Sequence, residues 1–174
     1  YADVMKLMNL LENKKWPIEA KMKKEDIYWG AMLGIAEMIK SGTTTFADMY
    51  GDMDQVAQAC IDTDIRAVLS RGIIGVAPNG NQALEENKIL FRDFNNANDG
   101  KITVMFGPHA PYTCPPDFLQ KVVKVSEKYN GEIHIHLAET KGEVENCLKE
   151  YGKTPIALME KVGILDRGVL AAHC

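Results

Sequence analysis

The stretch Gly131-Glu132-Ile133-His134-Ile135-His136-Leu137-Ala138-Glu139-Thr140 decides how this chain reads. Its IHIHL centre predicts a β-strand, in which residues two apart share a face. His134 and His136 then point the same way, and Glu139 follows where the strand gives way to a loop. An imidazole and a carboxylate at a strand's end are the parts needed to hold a metal ion and move a proton beside it. Further on, GVLAAHC (168–174) reads as another apolar strand and ends on His173. Three of the chain's four histidines therefore sit at two strand tips.

Outward from these tips, helix-like and strand-like segments alternate. Asp3–Asn13 is amphipathic through Val4, Met5, Leu7, Met8 and Leu11, and WPIEA (16–20) breaks that pattern at Pro17. Lys24–Lys40 reads as a helix stopped by Gly42. TTTFADMY (43–50) reads as a strand, Met53–Thr63 as a helix and IRAVLSRG (65–72) as a strand. A Gly/Pro/Asn loop (75–81) leads to a helix over Ala83–Asn95, then a strand, KITVMFGPH (101–109). Pro116–Tyr129 is expected to be a helix with Pro in its first turn. Helices over Glu143–Tyr151 and Thr154–Val162 follow the IHIHL strand.

Five strands separated by helices imply an α/β fold with parallel strands and right-handed crossovers. Both an open doubly wound sheet and an arc of a (β/α)8 TIM barrel fit. The polar residues choose between them. Asp48, Arg71, His109, the His136/Glu139 pair and His173 each fall at the C-terminal end of a different strand. A barrel builds its active site there, with several strands feeding one centre. A dinucleotide-binding domain would carry a Gly-rich turn, and neither GxGxxG nor GxxxxGK(S/T) occurs. The expectation is a partial (β/α)8 barrel of roughly strands 2 to 6. Residues 1–174 would be the central part of a longer barrel, lacking its first and last strands.

Composition narrows the class. The chain has 174 residues, 46% of them apolar, enough for one domain with a core. A net charge of −4 without a basic stripe disfavours nucleic-acid binding. No apolar run approaches the length of a membrane span, and no signal-peptide pattern is present. Cys60, Cys114, Cys147 and Cys174 are far apart and form no CxxC, so they read as reduced thiols in a cytoplasmic protein. Cys174 next to His173 is not read as a nucleophile–base pair, because adjacent strand residues face opposite ways.

Each polar tip has a functional and a bland reading. His136 is read as a metal ligand, against a satisfied core histidine. His134 could be a second ligand of an HxH pair, and is read first as a neighbour deeper in the barrel. Glu139 is read as a proton carrier, against a solvated loop carboxylate. His173 could ligate or orient water, and His109 could hydrogen-bond a substrate. Arg71 ends an apolar strand and needs a polar partner, either a structural carboxylate or a substrate.

WPIEA, GTTTFADMY, SRG, LEENKILF, FGPHAPYTC, HIHLAET and AAHC, in this order, resemble the amidohydrolase superfamily. The branch most resembled is that of S-adenosylhomocysteine/5′-methylthioadenosine deaminases, near guanine deaminases and triazine hydrolases. The resemblance implies a (β/α)8 barrel with one divalent metal, usually zinc, with iron or nickel as alternatives. It implies hydrolytic deamination of an adenosine-type nucleoside, a small-molecule substrate, to the inosine analogue plus ammonia. His136 matches the metal ligand on strand 5, Glu139 the proton-transfer glutamate, and His173 the strand-6 histidine beside the reacting water. Glu19 matches a carboxylate that grips ribose hydroxyls, and Arg71 and His109 match substrate-contacting positions. The family's HxH on strand 1 would precede Tyr1 and its strand-8 aspartate would follow Cys174, so the chain alone is expected to be inactive. A second substrate-contacting arginine of some members corresponds to Ala83. A guanine-type or s-triazine amidohydrolase and a non-catalytic α/β domain with structural histidines remain the alternatives. An unclosed barrel would expose apolar strand edges, which favours a homo-oligomer.

Overall fold

The computed structural model describes residues 13, 16–19 and 21–174. The amphipathic segment expected over Asp3–Asn13 lies, apart from its last position, outside the described residues. A short helix α1 (Trp16–Glu19) leads to the long helix α2 (Lys24–Lys40). Then come β1 (Thr45–Tyr50), α3 (Met53–Thr63), β2 (Arg66–Ile73), α4 (Gly80–Phe94) and β3 (Ile102–Pro108). The chain continues through α5 (Pro116–Tyr129), β4 (Ile133–Leu137), α6 (Lys141–Tyr151), α7 (Pro155–Val162) and β5 (Val169–His173).

The sheet order β1-β2-β3-β4-β5 repeats the chain order, and every neighbouring pair is parallel. The five strands form a curled half-barrel with helices between them, the arc of a TIM barrel that strand–helix alternation predicts. Period-2 alternation sorts the side chains. Ala67, Leu69 and Ile73 of β2, Ile102, Val104 and Phe106 of β3, and Ile133, Ile135 and Leu137 of β4 are buried. They pack in two clusters with residues of the helices, such as Ile35, Val56, Leu84, Leu119 and Met159. The opposite face carries Ser70, Met105, His134 and His136, and is the interior side of the arc.

Two helices start at least two residues earlier than expected. Helix α4 starts at Gly80 rather than Ala83. A Cβ on Gly80 would lie 2.7 Å from the Ile74 carbonyl oxygen, so the helix enters through a close approach only glycine fits, against its low helix propensity. Helix α6 starts at Lys141 because the Thr140 hydroxyl accepts a hydrogen bond from Glu143 N–H and caps it. All four cysteines are free thiols, three of them buried. Among the described residues no helix is long and apolar enough to cross a membrane.

Candidate active site

Strand β4 turns its isoleucines into the helix layer, which leaves both its histidines on the interior face. His134 is 7% exposed, and its Nδ1 lies 3.2 Å from Ser70 Oγ on β2. Burial, and then the charge of His136, push its pKa down to about 4. His134 is thus a neutral, hydrogen-bonded ring in the wall. One step nearer the rim, His136 is half-buried. Its backbone N–H and its Nδ1 both reach the carbonyl oxygen of His109, at 2.9 and 3.1 Å. A carbonyl only accepts, so Nδ1 carries the proton, and in the neutral ring Nε2 keeps its lone pair. This is how a protein prepares an imidazole to bind a cation.

His109 follows β3 and is held by its own N–H, which donates to the Ile73 carbonyl at 2.9 Å. Its Nδ1 lies 3.0 Å from Thr113 Oγ1, and its ring meets Tyr112 edge-on at 5.7 Å. Burial, then the charge of His136, lower the His109 pKa, and Glu139 partly opposes them. His109 and His173 flank His136, with ring centroids 5.2 and 5.4 Å from it. By register His173 faces Leu137 and would turn toward the helices. A φ of +74° takes it out of extended geometry, and its Nε2 stands 3.8 Å from Glu139 Oε1. That gap exceeds a direct hydrogen bond and suits an ion pair or a bridging water. The tips of β3, β4 and β5 thus gather His109, His136, Glu139 and His173 in one patch.

The other candidates lie elsewhere. Arg71 shares a face with Leu69 and Ile73, the helix side of β2. Its Nε donates to Glu86 Oε2 at 2.8 Å, and with Lys24, Asp52 and Asp54 it lines a cleft beside α3 and α4. Of the two partners the sequence allowed it, the structure supplies the structural carboxylate. Glu19, on α1, accepts a hydrogen bond from the Tyr50 hydroxyl. Burial first, then Glu19 and Asp48, push the Tyr50 pKa up to about 12. Glu19, Asp48 and Tyr50 line an apolar groove of about 640 Å³ between α1, α2 and β1. Sequence reading missed Ser70, Thr113 and Glu143. Only Glu143 left a signal, the Thr140-x-x-Glu143 spacing of a helix start.

For a metal ion, His136 Nε2 is a fitting donor, with its tautomer and ring already set. Among the described residues no group of three or more His, Cys, Asp or Glu side chains could hold one.

The model of the amidohydrolase family matches residues 2–174. The chain belongs to the amidohydrolase family. A 5-methylthioadenosine/S-adenosylhomocysteine deaminase of Syntrophomonas wolfei is 54% identical over all of this chain and 41% of that protein. A protein of the same name from Desulfitobacterium hafniense is 52% identical over all of the chain and 40% of its own length. The chain thus spans about two fifths of these amidohydrolases. Among solved structures, an adenosine deaminase from Xanthomonas campestris with bound zinc superposes with a TM-score of 0.85 at 29% identity. That match covers 95% of this chain and 38% of the other. A guanine deaminase from C. acetobutylicum with guanine in its active site gives 0.83 at 19% identity, covering 97% and 43%. That second likeness shows the barrel fold alone.

Proposed function

We propose that the protein containing this chain hydrolytically deaminates an adenosine-type nucleoside, S-adenosylhomocysteine or 5′-methylthioadenosine, to the inosine analogue and ammonia. The observation that carries this reading is the rim patch, where a carboxylate and an imidazole stand 3.8 Å apart beside a histidine with a free Nε2. Relatives at 52–54% identity bearing this deaminase name support the substrate class.

In this reading water adds to C6 of the purine, N1 gains a proton, and the amino group leaves as ammonia. Glu139 takes the proton that the attacking water sheds and delivers it to N1; the proton of the hydroxyl added at C6 then passes to the amino nitrogen, which leaves as ammonia. His173, facing Glu139, hydrogen-bonds the oxygen being added. His136 would hold a divalent ion, zinc by preference, with donors from the rest of the protein; when bound, the ion makes water nucleophilic near neutral pH. His109 offers a ring nitrogen to the base from the neighbouring tip. Glu19, oriented by Tyr50, would grip the ribose hydroxyls. The chain would form strands 2 to 6 of the barrel and, alone, would not turn over. Reduced thiols and a small-molecule substrate favour a cytoplasmic enzyme.

The full-length, zinc-loaded protein should shift the ultraviolet spectrum of methylthioadenosine toward that of its inosine analogue. Replacing Glu139 by Gln should slow turnover by about 10³-fold, within the usual range for a general acid–base group. Turnover of guanine or a triazine with no activity on nucleosides would overturn the substrate assignment. Glu19→Gln separates these readings, since a ribose-gripping carboxylate has no task with a bare ring.

A further inference from the structure

We propose that Glu143 is a positioning residue for Glu139, an inference that rests on the reading of Glu139 as the proton carrier. Strand β4 ends at Leu137, and Ala138 adopts a φ of +55°, the left-handed region that a residue with a Cβ rarely occupies. That turn presents two successive amide groups to one carboxylate. Ala138 N–H donates to Glu143 Oε1 at 3.0 Å and Glu139 N–H donates to Glu143 Oε2 at 2.9 Å. Glu143 is 7% exposed, and its own N–H is held by the Thr140 hydroxyl at 3.1 Å.

Helix capping alone does not explain this arrangement. In a capping box the residue at this position reaches back to the N–H of the capping residue, here Thr140. Glu143 instead reaches past Thr140 to the two residues before it. Each carboxylate oxygen takes one N–H, a charge-assisted pair. The left-handed turn at Ala138 is thereby held, and the Glu139 Cα is pinned through its own amide. Only side-chain torsions then remain between the anchored backbone and the carboxylate that faces His173. Glu143 acts on the reaction through Glu139 and touches neither substrate nor metal.

The test uses the full-length, metal-loaded enzyme. Glu143→Gln keeps the shape but presents an amide NH2 where an oxygen accepted. It should lower kcat by about 30-fold, the scale of a misplaced catalytic group, with KM changed by less than about threefold and metal content unchanged. Amide hydrogen exchange at 138 and 139 should quicken. The double variant Glu139→Gln/Glu143→Gln should lose no more than Glu139→Gln alone, because residues acting as one unit are not additive. A kcat within about twofold of the parent, or a double loss equal to the product of the two single losses, would overturn the inference. Glu143→Asp, which keeps the charge but is too short for both N–H groups, should behave like Glu143→Gln. If neither variant folds, Glu143 is structural and the inference falls. An inactive parent, or a fully active Glu139→Gln, instead defeats the deaminase reading, and exchange at 138 and 139 still reports the anchoring.

Discussion

At the scale of the residue, the side chains of this rim take their behaviour from neighbouring main chain. His136 owes its tautomer to the carbonyl of His109, and Glu139 owes its backbone position to Glu143. Asp48 shows the opposite case, a carboxylate with too little help. Burial lifts its pKa above 3.8, and a backbone hydrogen bond at Met49 only partly opposes this. Between the unfolded pKa and the raised folded one, the folded state therefore holds a proton that the unfolded chain has released. That contribution to stability is fully present below the unfolded pKa and is lost as pH rises through the folded one. Asp48→Asn should consequently raise the midpoint of thermal unfolding more at pH 7 than at pH 4, as differential scanning calorimetry would show. His136 and His173 were legible in the sequence because polar residues end apolar strands there. Arg71 was harder, since its tip position resembles theirs. Its apolar neighbours two residues either way, Leu69 and Ile73, mark it as facing the helices.

At the scale of the element, strand and helix identities follow from periodicity, and the exceptions trace to contacts that periodicity does not report. Gly107 of β3 leaves no room for a side chain. A Cβ there would stand 2.7 Å from the Arg71 carbonyl oxygen and 2.9 Å from Ser70 Cβ. Gly107→Ala should cost about 1–3 kcal/mol through overpacking, measured by urea unfolding. The buried amide of Asn87, on α4, bridges the same strand, donating to Met105 O at 3.0 Å and accepting from Gly107 N–H at 2.9 Å. No pattern in the sequence marks an asparagine on an amphipathic helix as a clamp on the strand that follows it. Thr154, read from the sequence as the first residue of a helix, is instead the cap that precedes Pro155. It accepts from Ala157 N–H at 3.3 Å, and Thr154→Ala should cost about 1 kcal/mol by the same measurement.

At the scale of the whole molecule, the arc leaves β1 and β5 each with one unpaired side among the described residues. Expressed alone, the 174-residue chain should self-associate with concentration, as sedimentation velocity would detect. Dialysed against buffer, it should retain far less zinc than the full-length protein, because three or more donors make a stable site and the described residues group fewer. Barrel class and site edge were legible because strand tips repeat at each turn of the pattern. The expectation of a partial metal site came from family resemblance alone, as no spacing within one arc would reveal donors contributed by another. The order of the strands around the arc is also their order along the chain. Sequence position therefore works as an angular coordinate on the mouth. Lengthening the connection after one strand would widen a single sector, while the sector spanned by β4 and β5, where Glu139 and His173 face each other, would keep its radius.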